Sequence, residues 1–205
     1  MFIIGITGGT GAGKTSALRA LSDLGALVLD CDRLYHEILA ENGDLKSELG
    51  DRFPGVQTDG AIDRKRLGEI VFADPSALSD LNAITHKYVG SEIERRLSEW
   101  ESRGEKVAAI DAIALIDSGR NERCDVVVGV IAPVNARVTR IMRRDRITRR
   151  QALQRINAQK PDSFFRENCD FILENTFKTP GEFRKYCKEF FSGITGIIGG
   201  NNDAG

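Results

Sequence analysis

The chain opens on an apolar run, Phe2-Ile3-Ile4-Gly5-Ile6, that breaks into a glycine-rich turn; it reads as a buried strand. Within residues 15–23, Ala17, Leu18 and Leu21 recur at helical spacing, and Gly25 stands where a helix would stop. A second apolar run, Ala26-Leu27-Val28-Leu29, ends on Asp30. Strand, loop, helix and strand in that order predict a parallel sheet with crossover helices. Residues 33–105 change character: they are rich in charge and carry helical repeats such as Ile93, Leu97 and Trp100. They read as a helical insertion, with breaks at Asn42-Gly43, Pro54-Gly55, Asp59-Gly60 and Asp74-Pro75. Continuous apolar stretches return at Val107–Asp111 and Val126–Ile131, the pattern of strands buried on both faces. A polar, arginine-rich helical segment from Arg137 to Arg155, a short strand at Phe171–Leu173 and a closing helix over Glu182–Phe191 complete the reading. The expectation is an α/β protein with a core of residues 1–32 and 106–198, an insertion over 33–105 and a mobile tail over 199–205.

Composition narrows the class without naming an activity. With 205 residues, 41% hydrophobic and 29% charged, the chain can bury its own core. The 29 Lys and Arg against 30 Asp and Glu, net −1, argue against a globally basic nucleic-acid binder. No apolar run approaches the ~20 residues that span a bilayer, and Met1–Thr7 lacks the pattern of a secretory leader. Four cysteines, at 31, 124, 169 and 187, form no C-x-x-C pair and do not resemble a zinc site. The expected compartment is therefore the cytoplasm, with no membrane or nucleic-acid partner.

Gly8-Gly9-Thr10-Gly11-Ala12-Gly13-Lys14-Thr15 fits G-x-x-x-x-G-K-[ST] without a mismatch, between a predicted strand and a predicted helix. Glycines let backbone N–H groups approach phosphate oxygens closely, and the helix N-terminus that follows favours anions. Lys14 supplies charge to the β- and γ-phosphates, and Thr15 offers a hydroxyl to Mg²⁺. Residues 8–16, ending at Ser16, are thus the candidate nucleotide cradle on a P-loop fold. No N-K-x-D base-reading motif or L-S-G-G-Q signature is present. Asp111 closes its strand where an acidic residue can hold Mg²⁺ through water; capping the following turn is the competing role.

Asp30 and Asp32 stand two apart at the end of the second strand, so strand alternation would aim both toward the γ-phosphate region. One carboxylate there can take the proton of an acceptor hydroxyl. The competing reading makes Asp32 the N-cap of a helix starting near Leu34. The segment from Arg137 to Arg155 holds eight arginines and one acid, Asp145. Arg137, Arg140 and Arg144 share a helical face and suit a lid, over about 137–160, that covers the transferring phosphoryl group. A solvated face and an RNA-contacting patch compete with the lid, though no aromatics interleave the arginines.

An ordered set of motifs resembles the dephospho-coenzyme A kinase family of P-loop kinases. Gly5-Ile6-Thr7-Gly8-Gly9-Thr10-Gly11-Ala12-Gly13-Lys14 resembles its opening G-L-T-G-G-I-G-S-G-K, and Asp30-Cys31-Asp32 its D-A-D. Gly60-Ala61-Ile62-Asp63-Arg64 with Leu67 and Phe72, and Leu81-Asn82-Ala83-Ile84-Thr85-His86, are similar to its G-x-I-D-R and L-x-x-I-T-H-P segments. Arg140-Ile141-Met142-Arg143-Arg144-Asp145 with Gln159, and Asp170 through Asn175, resemble its lid and its closing A-D-x-V-I-x-N. Lys87 and Ile113 stand where the family has prolines, Asp117 for a glutamate and Cys169 for an alanine. The resemblance implies transfer of the ATP γ-phosphate to the 3'-hydroxyl of dephospho-coenzyme A, with Mg²⁺. It implies Asp32 as base and acceptor contact, Lys14, Arg140 and Arg144 as catalytic residues, and Arg64 and His86 as acceptor contacts. It gives Asn175 and Gln159 the adenine side or the lid hinge. A surface ion pair for Arg64 and a core or capping role for His86 compete with those contacts. A monomer or weak homo-oligomer is expected. The rivals are another P-loop nucleoside or nucleotide kinase and a non-catalytic, nucleotide-dependent RNA-associated module.

Overall fold

The computed structural model describes residues 1–112 and 115–196; Ile113 and the tail beyond residue 196 lie outside them. The chain begins with β1 (Phe2–Gly8), α1 (Lys14–Asp23) and β2 (Leu27–Asp30). It continues through α2 (Cys31–Glu41), α3 (Gly43–Arg52), the two-residue strands β3 (Gln57–Thr58) and β4 (Ala61–Ile62), α4 (Arg64–Ala73) and α5 (Pro75–Ser102). Then come β5 (Val107–Asp111), β6 (Val126–Ile131), α6 (Val134–Asp145), α7 (Arg149–Asn157), α8 (Asp162–Asn168), β7 (Phe171–Glu174) and α9 (Pro180–Thr195). The chain folds into two units, one of residues 1–29 with 103–205 and one of residues 30–102.

In the first unit the strand order is β2-β5-β1-β6-β7. β1 runs parallel to β5, with Ile4 beside Ala109 and Ile6 beside Asp111, and parallel to β6, with Ile6 beside Val128. β6 pairs in parallel with β7. Central strands of such a sheet are covered on both faces, which is why β1, β5 and β6 are near-continuous apolar runs. The chain moves from one side of β1 to the other between β5 and β6, and a switch of this kind leaves a crevice at the carboxyl ends of the strands. Gly8 ends β1 in that crevice at φ 141°, and a Cβ there would lie 2.2 Å from the Val130 carbonyl oxygen. Only glycine lets the loop leave the sheet so close to β6.

The core of this unit joins Ile4 and Ile6 to Ala17, Ala20 and Leu21 of α1 and to Phe183, Cys187 and Phe191 of α9. A capping box at Thr179 and Glu182, with Pro180 at the first turn, starts α9. Burial pushes the Cys187 thiol up to about 12, so it behaves as a small apolar group. The segment expected as one arginine-rich helix is two. Arg146 adopts left-handed φ 54° after α6, and a Thr148–Gln151 capping box restarts the chain as α7. Val138 and Ile141 then pack on Ala152 and Ile156, so the apolar face of each helix finds the other.

The second unit is helical apart from the β3–β4 hairpin, whose turn residues Asp59 and Gly60 both take positive φ, 51° and 77°. Asp30, Asn42 and Asp63 cap α2, α3 and α4 with side-chain oxygens. Leu34, Ile38, Leu45, Leu49, Val89 and Ile93 are among its buried residues. Lys87, which stands where a proline was expected from the resemblance, lets α5 continue unbroken and donates to Glu48 of α3 at 2.9 Å. Glu37 of α2 receives Arg96 of α5 at 2.9 Å. Arg96 also binds Glu92 at 2.7 Å, and hydrogen bonding to Arg95 is the main cause that holds the Glu92 carboxyl down at about 2.

Two stability outcomes are expected from this packing. Phe191→Ala removes a ring with no exposed surface and should cost about 3–5 kcal/mol, read as a lower denaturant midpoint at unchanged slope. Glu92, depressed below its ordinary 4.5, contributes stability that is complete above that value and drains as the pH falls toward 2. Acid titrations of the wild type and Glu92→Gln should converge across that window; parallel curves would show that Glu92 contributes nothing there.

Candidate active site

Between Gly8 and Lys14 the backbone turns back on itself, with Gly11 at φ 74° and Gly13 at φ 119°. Gly13 precedes α1 and provides no side-chain cap, and the first turn holds no acidic residue. A helix opened in this way presents N–H groups and a positive dipole end to an anion. A Cβ at Gly13 would lie 2.3 Å from Asn175 Nδ2, so the cradle is shaped by the absence of that atom.

A loop that turns its N–H groups inward turns its carbonyls outward, and each needs a donor. Lys14 Nζ donates to Gly8 O at 2.8 Å, and Arg137 Nε to Thr10 O at 2.9 Å. Arg140 Nη1 donates to Gly11 O and Ala12 O, both at 3.1 Å, and Asn175 Nδ2 donates to Ala12 O at 2.8 Å. Gln159 Oε1 accepts the Thr10 N–H at 2.8 Å and Arg137 Nη2 at 3.3 Å. Arg144 Nη2 donates to Thr10 Oγ1 at 3.3 Å. Three arginines expected to share a helical face therefore do share one, and the loop is what they meet. Arg137 and Arg140 turn from solvent to the loop, whereas Arg144 stays exposed and pairs with Asp145 beside its contact to Thr10.

Their environments differ. Arg137 is only 3% exposed, with Asp162 Oδ1 at 3.5 Å from Nη1. Burial pulls the Arg137 pKa down, partly opposed by Asp162, and burial alone does the same to Arg140. Arg144 goes the other way, because its fork onto Asp145, at 2.6 and 3.0 Å, raises it. Arg155 also binds Asp145, at 2.5 Å, so one carboxylate serves two arginines. Sequence reasoning grouped Arg137 with Arg140 and Arg144 by their spacing, which marks a shared face but carries no signal that Arg137 is a buried brace.

Thr15 is exposed in the first turn of α1, and Asp111, half-buried, ends β5 beside Ile6 of β1. A hydroxyl and a carboxylate are the hard oxygen donors that suit Mg²⁺. A cavity of about 410 Å³ adjoins Gly13 and Ser16 and is walled by Arg140, Asn175, Phe177 and Pro180. Asn175 is 4% exposed, and its Oδ1 has no hydrogen-bond partner. A second cavity, of about 360 Å³, opens at Gly8 and Gly9.

Asp32, Arg64 and His86 belong to the second unit. Here one expectation is corrected. β2 stops at Asp30, whose carboxylate caps α2 by accepting the Arg33 N–H at 3.0 Å, so the helix already begins at Cys31. Asp30 and Asp32 therefore do not share a strand face, and Asp30 rather than Asp32 is the N-cap. Asp32 is exposed in the first turn of α2. Arg64 is the first residue of α4 and lines a cavity of about 210 Å³ with His36 and Lys46. His86 is exposed on α5 and is not a core residue. Among the described residues no helix is long and apolar enough to cross a membrane, and no cluster of three His, Cys, Asp or Glu could hold a metal ion.

Comparison with known proteins agrees with this geometry. The family model described as Dephospho-CoA kinase matches residues 2–180. The dephospho-CoA kinase of Geobacter sulfurreducens is 38% identical over 94% of this chain and 98% of its own length. A solved protein of Thermus thermophilus superposes with a TM-score of 0.79 at 31% identity, covering 97% of this chain and 98% of that one. The solved dephospho-CoA kinase of Campylobacter jejuni gives 0.68 at 25% identity, over 95% of this chain and 97% of that one. With a five-stranded parallel sheet behind a glycine-rich phosphate loop, and relatives matched across nearly their whole length, the chain belongs to the dephospho-CoA kinase family of ATP-dependent P-loop kinases.

Proposed function

We propose that residues 8–16 hold ATP and that the protein transfers its γ-phosphoryl group to the 3'-hydroxyl of dephospho-coenzyme A. One observation carries the nucleotide part of this reading: the outward carbonyls of the loop are held by Lys14, Arg137, Arg140 and Asn175, which leaves the inward backbone preset for phosphate oxygens. The cavity beside Gly13 and Ser16, with Asn175 and Phe177 in its wall, suits the nucleoside end. Thr15 directly, and Asp111 through water, would hold Mg²⁺, which when bound neutralises charge building on the β- and γ-phosphates.

In the transfer, the acceptor 3'-oxygen forms a bond to the γ-phosphorus as the bond to the bridging oxygen breaks and ADP leaves. Asp32 takes the hydroxyl proton. Lys14, Arg140 and Arg144 lend positive charge to the group in flight, and Arg140 does so from a position already fixed on Gly11 and Ala12. Arg64 and His86 contact the acceptor. The protein then acts on a small molecule in the cytoplasm, as a monomer or weak homo-oligomer.

An ATP-coupled assay offering dephospho-coenzyme A, adenosine, AMP and pantetheine separately should show turnover with the first alone. Preference for a nucleoside or nucleotide would point to a different P-loop kinase. Asp32→Asn should lower kcat by about a hundredfold or more with the affinity for ATP kept; near-normal turnover would remove Asp32 as the base. Arg140→Ala takes away both a loop clamp and a charge, so kcat/KM for ATP should fall by roughly a hundredfold, and full activity would exclude Arg140 from the mechanism.

A further inference from the structure

Two cavities meet the phosphate loop within the first unit, at opposite ends of it. One touches Gly13 and Ser16, and the other touches Gly8 and Gly9. In a loop of this kind the backbone toward the helix takes the inner phosphates, and the lysine reaches the outer ones. Lys14 Nζ is bonded to Gly8 O, so the ammonium that serves the terminal phosphate sits at the Gly8 end. If the nucleoside fills the cavity by Ser16, the terminal phosphate points toward the cavity by Gly8, and an acceptor must reach it from there.

That second cavity holds a cation with no role so far. Lys160 Nζ lies 3.1 Å from Asp117 Oδ1 and 4.6 Å from the centre of the Phe164 ring. Asp117, Gln159, Lys160 and Phe165 line the cavity together with Gly8 and Gly9. Both partners of the ion pair are 49% exposed, and a pair this open to water adds little to stability. The same openness lets Lys160 change partners at low cost. Its three donors suit a phosphate oxygen, and the Phe164 ring gives the ammonium a cation–π contact that does not occupy those donors.

We propose that this cavity is an acceptor subsite for a diphosphate group, and that Lys160 leaves Asp117 to bind that group when the acceptor enters. The inference rests on the reading given under Proposed function, since dephospho-coenzyme A carries a diphosphate beside the ribose whose 3'-hydroxyl reacts. Asp117 has a definite part. It neutralises Lys160 while the subsite is empty, and its charge opposes the incoming diphosphate.

Steady-state kinetics on Lys160→Met, Lys160→Arg and Asp117→Asn test the subsite, with thermal unfolding as a check on folding. Lys160→Met should raise the KM for dephospho-coenzyme A about tenfold, with kcat and the KM for ATP unchanged. Lys160→Arg should restore most of that loss, and Asp117→Asn should lower the KM for the acceptor. An unchanged acceptor KM in Lys160→Met, or an equal rise in the KM for ATP, would overturn the subsite while normal wild-type transfer left the proposed function standing. If Lys160→Met did not fold, an acceptor KM in Asp117→Asn at or above the wild-type value would overturn it instead. Wild-type protein that does not phosphorylate dephospho-coenzyme A would overturn both.

Discussion

A phosphate-binding loop has two sides, and the outer one sets the terms for the rest of this molecule. Four carbonyls, those of Gly8, Thr10, Gly11 and Ala12, face away from the cradle, and each is met by a lysine, an arginine or an amide. A buried carbonyl without a donor costs about 1–3 kcal/mol, and a charge-assisted hydrogen bond contributes about 1.5–3 kcal/mol. Those magnitudes explain why Arg137 tolerates near-complete burial, against a desolvation penalty that lowers its pKa. The converging carbonyl dipoles and Asp162 stand in for lost water.

That clamp fixes where α6 must lie. One face of α6 carries Arg137, Arg140 and Arg144 onto the loop, while Val138 and Ile141 pack on Ala152 and Ile156 of α7. The turn between the two helices depends on Arg146 in the left-handed region and on the Thr148–Gln151 box. Gln159, just past α7, then reaches Thr10. Loop, helical hairpin and the two cavities that adjoin the loop are therefore parts of one hydrogen-bonded assembly.

Much of this was legible in the residues. Periodicity gave the strands beginning at Phe2, Val107 and Val126, because central parallel strands must be apolar on both faces, and the short apolar run at Phe171 gave the edge strand β7. The glycine-lysine motif marked the cradle, because few other sequences give that backbone path. Three things were harder to read. Helix capping competes with strand extension over one or two residues, so Asp30 and Asp32 looked alike until the cap chose Asp30. An arginine run carries no record of which members are buried, so Arg137 was indistinguishable from Arg140. The left-handed break at Arg146 needs no glycine and left no mark in the pattern.

Asn175 comes from far along the chain, 163 residues after the Ala12 carbonyl that it clamps. During synthesis the glycine segment emerges first, yet the groups that hold it arrive with α6, Gln159 and the residue after β7. Contacts of such long sequence separation form late. A chain stopped before residue 175 therefore carries the phosphate motif with Lys14, Arg137 and Arg140 on it but with the Ala12 carbonyl lacking its amide clamp.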